Sequence, residues 1–101
     1  MKKITALIPA AIVLAAALIA GETHPVGIFV SKSGEMLRAE YDNGNDEVVI
    51  VLPDKSEVRL HRDVSASGSR YTGDGAEFWE HHGEATYRVD GEVLFVGERR
   101  K

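Results

Sequence analysis

Side chains that could take part in binding or catalysis cluster in the second half of the 101-residue sequence. Three serine hydroxyls alternate with small residues at Ser65, Ser67 and Ser69, and two adjacent imidazoles follow at His81 and His82. A hydroxyl can donate a hydrogen bond to a carboxylate, and an imidazole can do the same or carry a positive charge. This set of side chains is therefore suited to binding acidic groups.

A catalytic use of the same residues is not favoured by their arrangement. Ser, His and Asp all occur, but the G-x-S-x-G elbow is absent and no spacing pairs a particular serine with a base. Because the sequence has no cysteine, thiol catalysis, cysteine-ligated zinc and lipid attachment through a thiol are excluded. We expect a protein that is not an enzyme and that needs no cofactor.

Histidines and acidic residues could also form a metal site. His81 and His82 are adjacent, so on a strand their side chains would point to opposite faces, and only one of them could join His61. Residues 42–46 supply oxygen ligands but lack the spacing of a calcium loop, and a hairpin turn accounts for them better. We expect no bound metal.

The elements that carry these residues are predicted to be short antiparallel strands. From residue 26 onward, apolar or alternating runs are separated by turn residues at intervals of about 8 to 12, and no sustained helical period occurs. An open sheet of so many strands would leave two unpaired edges, so the predicted fold class is all-β, a small antiparallel eight-stranded β-barrel. The predicted strands are Val26–Ser31, Glu35–Tyr41, Glu47–Leu52, Glu57–His61, Ser69–Thr72, Ala76–His81, Ala85–Val89 and Glu92–Val96.

The first twenty residues differ in character from the rest. Lys2 and Lys3 precede the apolar run Ile4–Ala20, which ends in small residues, and this order is typical of a signal peptide. We therefore expect residues 1–20 to be a signal peptide and residues 21–101 to form the folded domain, in the bacterial periplasm or outside the cell. Only an uncleaved signal segment would attach the chain to a membrane.

The charge of the chain limits its partners. Twelve basic and sixteen acidic residues give −4, and the ten basic residues that remain without Lys2 and Lys3 leave −6. Nucleic acid requires a basic face, so nucleic-acid binding is not expected. An acidic domain would instead attract a basic protein, at a rate that falls as salt rises.

The segment Val64–Ser69 lacks the alternation of a strand and consists mainly of small and hydroxyl residues. Small residues let a backbone approach another surface closely, but a flexible connector has the same composition. From composition alone, both interpretations stay open. The residues that follow are Ser67-Gly68-Ser69-Arg70-Tyr71 and, after a short turn, Phe78-Trp79-Glu80-His81-His82-Gly83-Glu84-Ala85.

These two segments resemble the SGxRY and FWxKGxEA motifs of the membrane-bound and periplasmic inhibitors of c-type lysozyme. The resemblance implies an eight-stranded barrel behind a signal peptide, with a serine-containing loop that enters the lysozyme cleft. By position, the serine is Ser67, and His81 stands where the family has lysine. The family also commonly ties its first and last strands with a disulfide, which this chain cannot form. The partner-binding residues implied are Ser67, Gly68, Ser69, Arg70, Tyr71 and His81.

Other roles remain open for some of these residues. Arg70 could hold the loop by pairing with Glu77 or Asp74, and the ring of Tyr71 could cap the barrel mouth. The alternative function is an exported β-barrel that binds a small ligand or an envelope partner without inhibiting lysozyme. If His81 replaces the family's lysine, inhibition should strengthen as the pH falls through about 6.5, where imidazole gains a proton.

Overall fold

The computed structural model describes residues 24–101, which form eight antiparallel strands closed into a barrel. The predicted fold class is confirmed, whereas the predicted signal peptide, residues 1–20, lies outside the described residues. Within the described range, no helix has the length and apolar character needed to cross a bilayer. The strands are β1 (Val26–Val30), β2 (Met36–Asp42), β3 (Glu47–Val51), β4 (Glu57–Asp63), β5 (Ser69–Gly73), β6 (Ala76–His81), β7 (Glu84–Val89) and β8 (Glu92–Arg99).

Each strand pairs with the next along the chain, and β8 returns to pair with β1. This last seam is short, because only Phe29 with Arg99 and Val30 with Glu98 are in register there. A backbone hydrogen bond of 2.7 Å from Arg100 to the carbonyl of Ile28 extends the seam slightly. Closure leaves no long unpaired edge, although here it is achieved without a covalent link between the first and last strands.

Inward-facing side chains fill the barrel, as the alternation along each strand predicts. Phe78 is fully buried and meets the ring of Phe29 edge to face at 5.9 Å, while its neighbour Trp79 lies on the outer side and is only partly buried. The sequence predicted that one of this aromatic pair would be in the core, and this is confirmed. The largest fully buried side chains are Phe29, Leu37, Val48, Ile50, Leu60 and Phe78.

The connectors divide the barrel into two ends. The loop end carries connectors 43–46, 64–68 and 82–83, and the chain segments before β1 and after β8 lie there as well. The turn end carries connectors 31–35, 52–56, 74–75 and 90–91. All residues that the sequence singled out for binding lie at or near the loop end.

Candidate partner-binding site

The connector between β4 and β5, residues 64–68, is called the serine loop below. The backbone of its first residue, Val64, is held by one side chain of β4 and one of β5. The carboxylate of Asp63 accepts a hydrogen bond of 2.7 Å from the backbone N–H of Val64, and the guanidinium of Arg70 donates one of 3.2 Å to the Val64 carbonyl. The Asp63 pKa is lowered, chiefly by the Val64 N–H and then by the hydroxyl of Thr72. The loop therefore leaves β4 in a fixed direction.

The far side of the serine loop is anchored to β6. The indole N–H of Trp79 donates a hydrogen bond of 3.0 Å to the carbonyl of Ser67, which also accepts one from the hydroxyl of Ser65. Gly68 has a positive φ of 73°, and a Cβ at this position would lie 2.3 Å from the carbonyl oxygen of Glu80. Because no side chain fits in that space, glycine is required where the loop meets β6.

The hydroxyl of Ser67 takes no part in this anchoring. It makes no hydrogen bond within residues 24–101, and the side chain is exposed. The backbone on both sides of Ser67 is thus held by other residues, while the hydroxyl itself remains free to donate to a partner. This combination distinguishes the loop from a flexible connector, the other interpretation that its composition allowed.

His81 and His82 lie beside the serine loop, at the end of β6 and in the turn that follows. A Cβ on Gly68 would be 3.1 Å from the Cβ of His81, so the loop and the imidazole are direct neighbours. The two histidine rings stack with centroids 3.9 Å apart and planes 17° apart, and the ring of Trp79 lies 5.8 Å from that of His81. The expectation that the two histidines face opposite sides is wrong, because His82 has left the strand and adopts a φ of 52°.

An ion-pair network on the outer face of β5, β6 and β7 supports the loop. Arg70 bonds to Glu77, as the sequence suggested, and its second partner is Asp63 rather than Asp74. Arg88 donates to the other oxygen of Glu77 over 3.1 Å. The hydrogen bond from Arg70 is the main cause that lowers the pKa of Glu77, and the same bond raises the pKa of Arg70.

A second polar cluster closes the mouth of the barrel below the loop. The carboxylate of Glu80 accepts hydrogen bonds from the Tyr41 hydroxyl at 2.7 Å and from the Arg99 guanidinium at 3.1 Å and 3.2 Å. Burial, followed by this bond to Glu80, raises the pKa of Tyr41, so its hydroxyl stays protonated as a donor. Tyr71 is only 2% exposed and packs between Tyr41 and Phe78.

Two features of this end were missed by sequence reasoning. Val64 is 85% exposed, the highest value among the large apolar residues that are exposed. The sequence did contain a signal for this exposure, because Val64 is an apolar residue at the start of a segment that lacks the alternation of a strand. The hydrogen bond from Trp79 to the loop had no signal in the sequence, because it joins residues 12 apart across two strands.

The part of the chain that the structure describes offers no position for a metal. Among residues 24–101, no group of three or more His, Cys, Asp or Glu side chains is arranged to hold a metal ion. His61 lies on the outer face of β4, where its Nδ1 is 3.3 Å from the carboxylate of Glu47. It does not join the His81–His82 pair.

Comparison with known proteins assigns the chain to a family. A family model described as the membrane-bound lysozyme inhibitors of c-type lysozyme matches residues 29–94, from β1 into β8 and through the whole serine loop. The chain belongs to this family. Searches of curated proteins and of solved structures gave no significant match.

All six binding residues implied by the resemblance fall in the stretch that the family model matches. The structure brings the serine loop and His81 together at the loop end. Arg70 points to the outer ion-pair network, Tyr71 points into the barrel, and Ser69 lies opposite Glu80 in the register of β5 and β6.

Proposed function

We propose that this protein inhibits c-type lysozyme by inserting the serine loop into the active-site cleft of the enzyme. The observation that carries the proposal is the contrast at Ser67, whose carbonyl is held by Trp79 while its hydroxyl is exposed without a partner in the described chain. Membership of a family of lysozyme inhibitors supports the target and supports the prediction that the chain is not an enzyme.

The chemistry of the target matches the groups at the loop end. Lysozyme works with two carboxyl groups, one protonated and one ionised. The Ser67 hydroxyl can donate to one of them, and His81, next to Gly68, can donate to the other or pair with it as a cation. A loop of small side chains suits a groove made for a sugar chain, because small residues let the backbone approach another surface closely.

Anchoring of the loop lowers the cost of binding. Ordering a mobile side chain at an interface costs about 0.5 to 1.5 kcal/mol, and ordering a backbone segment adds to that cost. Here the backbone on either side of the exposed Ser67 is already held by Asp63, Arg70 and Trp79 in the free protein. We assign Arg70 and Tyr71 to this support, and Ser67, Gly68 and His81 to the contact with the enzyme, with Ser69 at its border.

Charge and location fit the same function. Basic lysozymes would be drawn to a domain with a net charge of −6, and association should slow as salt rises. We propose that residues 1–20 direct export and that residues 21–101 act in the periplasm or outside the cell, where lysozyme reaches the peptidoglycan. The family description, membrane-bound, agrees with a location in the cell envelope.

Replacing Ser67 with tryptophan tests insertion directly. We expect the purified protein to inhibit lysis of bacterial cell walls by a c-type lysozyme, and Ser67→Trp to weaken inhibition on the order of 100-fold, as loss of a central contact does. The matched control is Ser33→Trp, an exposed serine at the turn end, which should inhibit like the wild type.

Two results would contradict the proposal in different ways. If the wild type does not inhibit, lysozyme inhibition itself is wrong, and an exported binding module is the better account. If the wild type inhibits and Ser67→Trp inhibits equally well, the target is right and insertion of the serine loop is wrong.

The role of His81 is tested by measuring inhibition between about pH 5.5 and 8, on either side of the ordinary imidazole value. We expect wild-type inhibition to strengthen toward acid relative to His81→Lys, because lysine is charged throughout this range. Titration of the enzyme's own carboxyl groups affects both proteins, so the ratio between them isolates the histidine. A constant ratio would remove His81 from the mechanism.

A further inference from the structure

His82 adopts a left-handed backbone conformation in a two-residue hairpin turn. The β6–β7 turn consists of His82 and Gly83, both with positive φ, at 52° and 82°. Two hairpins at the turn end have the same geometry, with Asp74 and Asp90 in the place of His82, at φ values of 49° and 51°. Asn, Asp and Gly are the residues that such turns prefer. Histidine also adopts a positive φ, but the turn itself does not require an imidazole at this position.

The ring of His82 is placed by this turn against the ring of His81. The stack is close and nearly parallel, at 3.9 Å and 17°, and Trp79 continues the row on the other side of His81. His81 is partly buried, whereas His82 is exposed. His81 is the imidazole next to the serine loop, beside Gly68, and the exposed ring of His82 extends the row beyond it.

Charged side chains line a groove beside the pair. A groove next to the two rings is lined by Glu84 of β7, by Glu98 and Arg99 of β8, and by Lys101. The Arg99 guanidinium is already bonded to Glu80 at 3.1 Å, and the serine loop contributes no charged side chain. The donors that this end of the barrel offers to an incoming carboxylate therefore include the two imidazoles, the Ser67 hydroxyl and Lys101.

We propose that His82 is a partner-contacting residue and that the stacked His81–His82 pair acts as one unit that binds a carboxylate of the enzyme's acidic cleft. A single neutral imidazole donates one hydrogen bond, whereas two stacked rings offer two donors and can still take up a proton. This inference rests on the proposed function and extends it to a residue outside the six implied by the resemblance.

The decisive variant is His82→Asn, because asparagine suits a type I′ turn and removes the ring without removing the turn. We expect it to unfold at the same denaturant concentration as the wild type or a higher one, yet to inhibit lysozyme less well by about 10-fold or more, as loss of an interfacial hydrogen bond to a charged group does. Its inhibition should also depend less on pH between about 5.5 and 8. The control Asp74→Asn makes a similar change in an equivalent turn and should alter neither property.

A double-mutant cycle tests whether the two rings act as a unit. The double variant His81→Gln, His82→Asn should lose less affinity than the sum of the two single losses. If the wild type inhibits but His82→Asn inhibits equally well with the same pH profile, the inference is overturned while the proposed function stands. If His82→Asn is less stable, His82→Gly replaces it, and full inhibition by that variant overturns the inference in the same way. Absence of inhibition by the wild type overturns both.

Discussion

The two ends of the barrel connect the same eight strands but are held by different kinds of contact. At the turn end, residues close in sequence satisfy each other, as where Asp54 accepts hydrogen bonds from the backbone and hydroxyl of Ser56 at 2.9 Å and 2.6 Å. At the loop end, the serine loop is fixed by Arg70 and Trp79 from other strands. The 52–56 turn is thus held by local hydrogen bonds, whereas the serine loop also depends on Trp79, twelve residues away from Ser67, and keeps a shape that leaves the Ser67 hydroxyl unused.

The largest predicted difference between the ends concerns glycine. Gly68→Ala should lower the free energy of unfolding by about 3 kcal/mol, because the new Cβ would lie 2.3 Å from the Glu80 carbonyl in addition to the cost of its left-handed φ. Gly34 at the turn end has a φ of 90° with no atom within 4 Å of the same position, so Gly34→Ala isolates the conformational cost, about 1 to 2 kcal/mol. Urea unfolding of both variants measures the difference, and equal losses would show that the loop is not packed tightly against β6.

The second prediction concerns the exposed side chain of Val64. If the serine loop enters a cleft, Val64→Ala should weaken inhibition about 10-fold, since burying the two lost methyl groups would contribute about 1.5 kcal/mol. Stability should not change, because the side chain is 85% exposed in the free protein. Leu94→Ala removes exposed apolar surface from β8 and should leave inhibition unchanged. If Val64→Ala and Leu94→Ala weaken inhibition equally, the contact with the enzyme is not specific to the serine loop.

The third prediction concerns the hydrogen bond that holds Ser67. Trp79→Phe keeps an aromatic ring but removes the indole N–H, and it should cost about 1 kcal/mol in stability and about 5-fold in inhibition. Ser56→Ala at the turn end removes a hydroxyl bonded to Asp54 and should lower stability by a similar amount without affecting inhibition. If Trp79→Phe inhibits as well as the wild type, anchoring of the Ser67 carbonyl does not contribute to binding.

The smallest predicted effect is on acid stability. Because Arg70 lowers the pKa of Glu77 from 4.5, the ionised carboxylate stabilises the fold above that pH, and this contribution is lost as the pH falls through the lowered value. Glu77→Gln should therefore be less stable at neutral pH, by less than about 1 kcal/mol for a partly exposed pair, and its melting temperature should fall less steeply below pH 4.5. If the melting temperatures of the variant and the wild type fall equally steeply below pH 4.5, the ion pair with Arg70 does not make this contribution.

Strand existence could be predicted because each strand has its own alternation. Val48 and Ile50 on β3, and Leu60 on β4, point inward as their spacing requires. Strand ends were predicted less well. β4 continues past His61 to Asp63, where Arg62 pairs with Tyr71, and β8 continues past Val96 to Arg99. These additions depend on a neighbouring strand that is distant in sequence, so no local pattern marks them.

Part of the candidate site could likewise be predicted from the sequence, and part of it could not. The position of the serine loop beside His81 was implied by the two motifs, and Glu77 was one of the two partners, with Asp74, that the sequence left open for Arg70. The expectation that His81 and His82 point to opposite faces was wrong, because the alternation rule was applied to His82, which has already left the strand and stacks on His81. Its positive φ is set by the two-residue turn that joins β6 to β7.

The bond between Trp79 and the carbonyl of Ser67 has a practical consequence. Trp79 is the only tryptophan in the sequence, so the indole fluorescence of the free protein comes from a single ring in contact with the serine loop. Release of the loop would expose that indole N–H to water and shift its emission to longer wavelength. The protein thus contains its own optical probe of the serine loop, and no label has to be attached there.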